Sequence, residues 1–173
     1  MRRLALALSG LSLGALLTGC SAVHEYRAPA GVRDGARMQT ATERASSRVL
    51  EMIGLKGKVT RGRATPLDCS GYEPEGRVRQ NRHPWSVYGV PFAELEKAYR
   101  GLRTALPAHG WEIVEDGPDS SRARTPTLVA NSRDGEFSVR VSLMDRRAKK
   151  DSESLIHVTV VSRCYEVPPS AAP

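Results

Sequence analysis

The fold is decided by residues 136–144, which read EFSVRVSLM. The odd positions from 137 to 143 are apolar and the even positions from 136 to 142 are polar. This period of two is typical of a strand with one buried and one solvent-facing side. Asp134-Gly135 is a hairpin dipeptide that joins this strand to an apolar run at Thr127–Asn131. A hairpin pairs its strands antiparallel, so the stretch predicts an antiparallel sheet.

The residues on either side of this hairpin complete the predicted fold. Apolar positions with helical spacing predict one helix over Ala36–Ile53 and a second that starts at Pro91 and ends at Pro107 to Gly110. Further strands are predicted in the second half of 77–90, at Trp111–Glu115 and at Leu155–Arg163. The expected class is α+β, with two helices packed on one face of a four- or five-stranded, mainly antiparallel sheet.

The N-terminus has the pattern of an export signal. Arg2 and Arg3 precede a short apolar run at Leu4–Leu17, which is too short for a comfortable membrane span. The run ends in Leu17-Thr18-Gly19-Cys20, which resembles the lipobox of bacterial lipoproteins. The resemblance implies that Cys20 receives diacylglycerol, that the leader is cut before it, and that Cys20 becomes the new N-terminus. The expected location is the cell membrane, with the protein lipid-anchored on the extracytoplasmic side.

The lipobox sets the expected domain boundaries. Residues 1–19 are the signal peptide, 20–35 the lipidated cysteine and a flexible tether, 36–166 a single domain, and 167–173 a disordered tail. The domain itself resembles small actinomycete-type lipoproteins without an assigned activity. Four stretches carry that resemblance: His83–Ser86, Leu106–Trp111, Gly117–Ser121 and Val161–Tyr165. It implies a location and no mechanism.

Once Cys20 is assigned to lipid, the two remaining cysteines form an even pair. Cys69 and Cys164 would lie in an oxidising compartment, where a disulfide is the expected state. The alternative is that Cys69 is a nucleophile, but no histidine is close to it in the sequence. We therefore expect a bridge that closes a loop across nearly the whole domain.

The charge limits the expected partners. The chain carries a formal net charge of +7, spread along its length. No nucleic-acid partner is expected outside the cell, and the candidates are anionic lipid headgroups, an envelope protein or a cell-wall polymer. Scattered surface charge without a partner explains the same composition. No cofactor and no metal are expected, because the histidines and cysteines lack ligand spacing and no phosphate-binding glycine loop occurs.

One segment gathers aromatic, cationic and histidine side chains. It predicts a possible binding surface, because aromatic residues and arginine are favoured anchors at interfaces. The alternative is that Trp85 only packs beneath the disulfide loop. The candidate residues are Tyr72, Arg82, His83, Trp85 and Tyr88.

Three functions follow from these features. The first is a non-enzymatic binding or accessory protein of the cell envelope. The second is an envelope enzyme with an unrecognised active site, for which the candidates are Asp68, Ser70, His83 and His157. The third is a small-ligand carrier, which needs a cavity between helices and sheet that a short domain has little room to hold.

Overall fold

The computed structural model describes residues 28–60, 62–72 and 76–169. These residues form two helices and one eight-stranded sheet whose strand pairs are all antiparallel. The α+β class is therefore confirmed. The helices are α1 (Gly35–Ile53) and α2 (Phe92–Ala108). The strands are β1 (Lys58–Val59), β2 (Thr65–Asp68), β3 (Val78–Tyr88), β4 (Trp111–Pro118), β5 (Pro126–Ser132), β6 (Phe137–Met144), β7 (Leu155–Ser162) and β8 (Tyr165–Glu166).

The expected count of four or five strands is wrong, because the sheet is larger. Its order is β1-β3-β7-β6-β5-β4, with β2 and β8 also paired to β3. Strand β3 is 11 residues long, so β1 and β2 follow one another along one side of it while β7 and β8 follow one another along the other. Strands of two residues, such as β1 and β8, are too short to show a period in the sequence.

Both helices pack on the same face of the sheet. Asp34 caps α1 by accepting a hydrogen bond from the backbone N–H of Arg37 at 2.8 Å, and Gly54 ends the helix with a φ of 66°. Pro91 stands immediately before α2. The main core consists of Ala45, Val49 and Ile53 of α1, Leu95, Tyr99, Leu102 and Leu106 of α2, and the helix-facing side chains of β3 to β7, among them Trp85, Val87, Trp111, Leu128, Ala130, Val139, Val141, Leu143, Ile156, Val158 and Val160.

The expected disulfide is confirmed. Cys69 and Cys164 are bonded, with their Cα atoms 6.3 Å apart and 95 positions between them in sequence. Cys69 follows β2, and Cys164 lies between β7 and β8. The bridge therefore joins the two sides of β3 at the end where that strand begins.

The packed chain extends beyond the expected domain at both ends. Ala30 donates a backbone hydrogen bond to the oxygen of Cys164 at 2.8 Å, and Arg33 donates one to Glu166 at 2.8 Å, so residues 28–34 are held against β8 rather than forming a free tether. Val167, the first residue of the expected disordered tail, is 5% exposed. The signal peptide, Cys20 and residues 21–27, and residues 170–173 of the tail, lie outside the described residues.

Candidate functional site

A cavity of about 300 Å³ lies between α1, β3 and the segment that joins β1 to β2. This volume is at the lower end of the range for ligand pockets. Its lining residues are Ser46, Ser47, Leu50, Val59, Thr60, Gly62, His83 and Trp85. Two of the five residues predicted as a binding surface, His83 and Trp85, are therefore part of it.

Helix α1 places Ser46 on its buried face. Ser46 is 2% exposed, and Thr42, one turn earlier on the same face, is fully buried. The Thr42 hydroxyl donates to the backbone oxygen of Met38 at 2.8 Å, which satisfies it. The Ser46 hydroxyl has no hydrogen-bond partner among the described residues. This helix thus carries one satisfied and one unsatisfied buried hydroxyl.

Strand β3 directs His83 and Trp85 to the helix side of the sheet, because alternate residues of a strand share a face. The His83 Nε2 atom lies 3.2 Å from the backbone oxygen of Gly62. In the neutral ring this contact requires the proton on Nε2, which leaves Nδ1 as an acceptor. That Nδ1 atom and the Trp85 Nε1 donor are both buried without a partner among the described residues. Trp85 is 4% exposed.

Thr60 and Gly62, between β1 and β2, line the third side of the cavity, and the described residues of this segment are hydrogen-bonded at both ends. Thr60 exchanges two hydrogen bonds with Ser86, since Thr60 N–H donates to the Ser86 oxygen at 3.0 Å and Ser86 N–H donates to Thr60 Oγ1 at 2.8 Å. Ala64 N–H donates to Glu43 Oε1 at 3.0 Å, and Gln39 Nε2 donates to the Ala64 oxygen at 2.8 Å. The described residues of this segment are therefore hydrogen-bonded to β3 at one end and to α1 at the other.

Three residues that line this cavity have a buried side-chain polar atom without a hydrogen-bond partner in the described part of the chain. Of the seven such atoms among the described residues, these are Ser46 Oγ, His83 Nδ1 and Trp85 Nε1. Most buried polar groups in proteins are hydrogen-bonded, and each one left unsatisfied costs about 1–3 kcal/mol. The other four atoms belong to Arg79, Asn81, Tyr99 and Arg163, and Arg79 Nε still faces Asp68 Oδ1 at 3.3 Å.

The remaining residues of the predicted binding surface lie elsewhere. Arg82 and Tyr88 are on the opposite face of β3 from His83 and Trp85, where Arg82 is exposed and the Tyr88 ring has the Lys58 Nζ atom 6.0 Å from its centre. Tyr72 is half-buried in the segment that follows Cys69. The structure thus brings together one histidine and one tryptophan of the five.

Sequence reasoning missed Ser46, Thr60 and Gly62 as members of the site. Ser46 was missed because only apolar side chains were used to find the buried face of α1. Thr60 and Gly62 lie in a segment without a periodic pattern. A small polar residue at a buried helical position, between Ala45 and Val49, was the one available signal.

The sheet face turned away from the helices carries a second polar group of side chains. Ser86 Oγ lies 3.1 Å from His157 Nδ1, and Thr159 Oγ1 lies 3.4 Å from His157 Nε2. Burial lowers the pKa of His157, and the nearby positive charges of Arg82 and Arg146 lower it further. The imidazole is therefore held in its neutral form between two hydroxyls.

The four side chains considered for catalysis do not converge. Asp68 pairs with Arg79, and Ser70 lies in the turn after Cys69. His83 and His157 are on opposite faces of the sheet, because His157 pairs across the strands with Ser86 and not with His83. The described residues include no group of three or more histidine, cysteine, aspartate or glutamate side chains arranged to hold a metal ion.

Comparisons with known proteins do not assign the chain to a family. No protein-family model, no curated protein and no solved structure matches the chain. Within the described residues, neither helix is long and apolar enough to cross a membrane. The geometry of the cavity is therefore the basis on which a function can be proposed.

Proposed function

We propose that the protein is an extracytoplasmic lipoprotein, anchored to the cell membrane through Cys20, that binds an envelope component without catalysing a reaction. The cavity defined by Ser46, His83 and Trp85 is its binding site. One observation carries the binding role, namely that three of the residues that line a single cavity each have a buried side-chain polar atom without a partner among the described residues. A ligand group that reached these atoms would supply the hydrogen bonds that they lack in the folded chain.

The export part of the proposal is supported by the disulfide. Disulfides persist in oxidising compartments and are rare in reducing ones. Cys69 and Cys164 are bonded in the fold, which fits an exported protein. The sequence pattern that ends at Cys20 supplies the anchor in this proposal.

The fold also limits how far the domain can stand from its proposed anchor. The packed chain begins by Ala28, whose backbone oxygen accepts a hydrogen bond from Arg163 at 2.6 Å. Between Cys20 and Ala28 there are seven residues, which reach at most about 25 Å when extended. The disulfide end of the sheet therefore faces the bilayer in this proposal.

The alternative, an envelope enzyme with an unrecognised site, has weaker support. Its nearest candidate is the pair Ser86 and His157, since a serine next to a histidine is the arrangement of an activated nucleophile. That pair lies within two neighbouring strands, where the backbone N–H groups of the ladder are engaged between strands and cannot act as an oxyanion hole.

The anchor is tested by Cys20→Ala in the source cells. We expect the wild-type chain to be processed, acylated and recovered with membranes. The Cys20→Ala chain should keep its leader and take up no labelled fatty acid. A variant of unchanged mature mass that remains acylated contradicts the anchor.

The binding role is tested by photo-crosslinking in intact cells. A photoreactive amino acid is placed at Ser47, on the cavity lining, and in a matched control at Thr104, an exposed position of α2. We expect a discrete adduct from position 47 and not from position 104. The same adducts from both positions, or none from position 47, would remove the support for a binding site here.

A further inference from the structure

The sheet face turned away from the helices is positively charged on three adjacent strands, β3, β7 and β6. Alternate residues of a strand share a face, and the inward set on these strands packs into the main core. The outward positions are the even-numbered residues of 80–88 and 138–144 and the odd-numbered residues of 155–161. They include Arg82 and Arg140 and no aspartate or glutamate. Arg140 Nη2 lies 3.7 Å from Glu115 Oε2, so a carboxylate of β4 compensates this one arginine.

Two further cations extend the positive charge to the end of the sheet where β3 ends. Arg146 follows β6, and its Nη2 donates to the Sδ of Met144, an outward residue, at 3.5 Å. Lys58 pairs with Tyr88 across β1 and β3, and its Nζ lies 6.0 Å from the centre of the outward Tyr88 ring. Both cations therefore lie on the same face as Arg82.

Three of these side chains lack a carboxylate partner. Among the described residues, no aspartate or glutamate forms an ion pair with Lys58, Arg82 or Arg146. Glu153 lines a small cavity together with Lys58, but the two are not paired. Lys58, Arg82 and Arg146, which we call the outer cations, thus keep their full charge for an anionic partner.

The positive charge reaches across the middle of this face, where His157 lies. Burial lowers the pKa of His157, and the charges of Arg82 and Arg146 lower it further. The two arginines therefore act on one region of the face although they come from different strands.

The spacing of the outer cations favours an extended partner. Lys58 pairs with Tyr88, which is six positions from Arg82 on β3, or about 20 Å at about 3.3 Å per residue. Arg146 follows β6, which is two strands away from β3, or about 10 Å. A compact anion cannot reach all three side chains, and each exposed ion pair contributes little alone. A linear polyanion can contact all three at once and gains from linking the contacts.

The position of the outer cations in the fold favours the cell wall over lipid headgroups. In the proposed anchored arrangement the disulfide end of the sheet, where β3 begins, faces the bilayer. Lys58 and Arg146 lie at the other end of β3, about 33 Å from Val78 at about 3.3 Å per residue. That distance is about four times the Debye length of about 8 Å, so headgroup charge is screened there.

We propose that the outer cations bind a linear polyanion of the cell wall along the sheet face turned away from the helices. This surface is separate from the cavity of Ser46, His83 and Trp85, which lies on the helix side of the sheet. Only the choice of the wall over the membrane rests on the proposed anchor.

The binding test uses long-chain polyphosphate as the linear polyanion and pyrophosphate as the short control, on the full chain with its disulfide intact, in neutral detergent. The readout is the NMR titration of the His157 ring, assigned by its loss in His157→Gln, with His83 on the opposite face as internal reference. We expect polyphosphate to raise the pKa of His157, because bound anions offset the two arginine charges, and to leave the His83 signals in place. Pyrophosphate at the same phosphate concentration should bind at least about tenfold more weakly. Equal binding of the two probes, or a His157 ring that polyphosphate does not affect, overturns the proposal.

A pair of double variants tests the assigned residues. Arg82→Gln with Arg146→Gln removes two outer cations, and Arg44→Gln with Arg48→Gln removes the same charge from exposed positions of α1 in the opposite layer. At low salt, polyphosphate affinity should fall about tenfold in the first variant and less than about twofold in the second. Equal loss in both variants contradicts the assignment. Lys58→Gln, on a different strand, should weaken binding about threefold, and unchanged affinity in this variant also contradicts it.

Two measurements separate the wall from the membrane. Phosphatidylglycerol added to the detergent micelles should leave the pKa of His157 unchanged, and a rise equal to that with polyphosphate would assign the face to lipid and overturn the proposal. In intact cells, a photoreactive amino acid at the exposed, outward Pro84 should give an adduct that sediments with wall polymer. Adducts with lipid or protein alone, or none, contradict the proposal. If position 47 crosslinks and position 84 does not, the cavity function stands and this proposal fails, and the reverse result has the opposite meaning.

Discussion

Replacing Ser46 by alanine should make the unliganded protein more stable. The Ser46 hydroxyl is buried without a partner among the described residues, and its removal relieves a cost of about 1–3 kcal/mol. The change also gains about 0.5 kcal/mol of helix propensity. Ser47→Ala is the matched control, since Ser47 is the next residue of α1, is exposed and donates to the Glu43 oxygen at 3.0 Å. It gains the propensity and little else, so Ser46→Ala should exceed it by about 1 kcal/mol or more.

Urea unfolding with the disulfide intact measures this difference. For an m-value of about 2 kcal/mol per M, an excess of about 1 kcal/mol shifts the midpoint by about 0.5 M, with no change in m. Equal midpoints for the two variants would refute the reasoning. The hydroxyl of Ser46 would then be satisfied in solution, by water in the cavity, and the observation that carries the proposed function would lose its force.

Three further outcomes are expected. Cys69→Ala combined with Cys164→Ala should lower the unfolding free energy by about 4–5 kcal/mol, because the bridge closes a loop of 95 residues; a urea midpoint equal to that of wild type contradicts this. Gly57→Ala should lower the melting temperature, because the new Cβ would stand 2.6 Å from a backbone oxygen of β3. Gly101→Ala in α2 should raise the melting temperature, because its Cβ meets nothing within 4 Å and alanine is the better helix former. A shift in the same direction for both variants would contradict this. The pKa of His157 is lower in the folded state than its unfolded value of about 6.5. Between these two pKa values the unfolded chain binds more protons than the folded chain. The unfolding free energy should therefore fall as the pH drops from about 6.5 toward the folded pKa. His157→Gln should flatten this part of the stability profile, and profiles that stay parallel would exclude the effect.

The helices and the long strands were predictable because each repeats a period over many residues. The apolar stripe of α2 and the alternation in β6 extend over at least two full repeats, and both elements lie where they were expected. Gly54 and Asp134-Gly135 also have the local roles that their residue types favour. The short strands were not predictable, since β1, β2 and β8 exist only because the long strand β3 offers them an edge.

The site was predictable in part, for a related reason. His83 and Trp85 stand out by residue type and share one face of a strand, so local sequence identifies them. Arg82 is adjacent in sequence but points to the other face, and only the strand register shows this. Ser46 is 37 positions before His83 in the sequence, and it lines the same cavity because α1 packs across β3. Contacts between distant elements of this kind leave no pattern in a single sequence.

A comparison of Thr42 with Ser46 bears on the binding role that we propose for the cavity. Both hydroxyls are buried on one face of one helix, and Thr42 shows that a bond to the carbonyl four residues earlier is available there. Ser46 does not make the equivalent bond in the structure. Unsatisfied groups at about 1–3 kcal/mol each are large against a net stability of about 5–15 kcal/mol. In the proposed function, a bound group that formed hydrogen bonds with these atoms would remove much of this cost, and the free energy recovered would appear as affinity for the ligand.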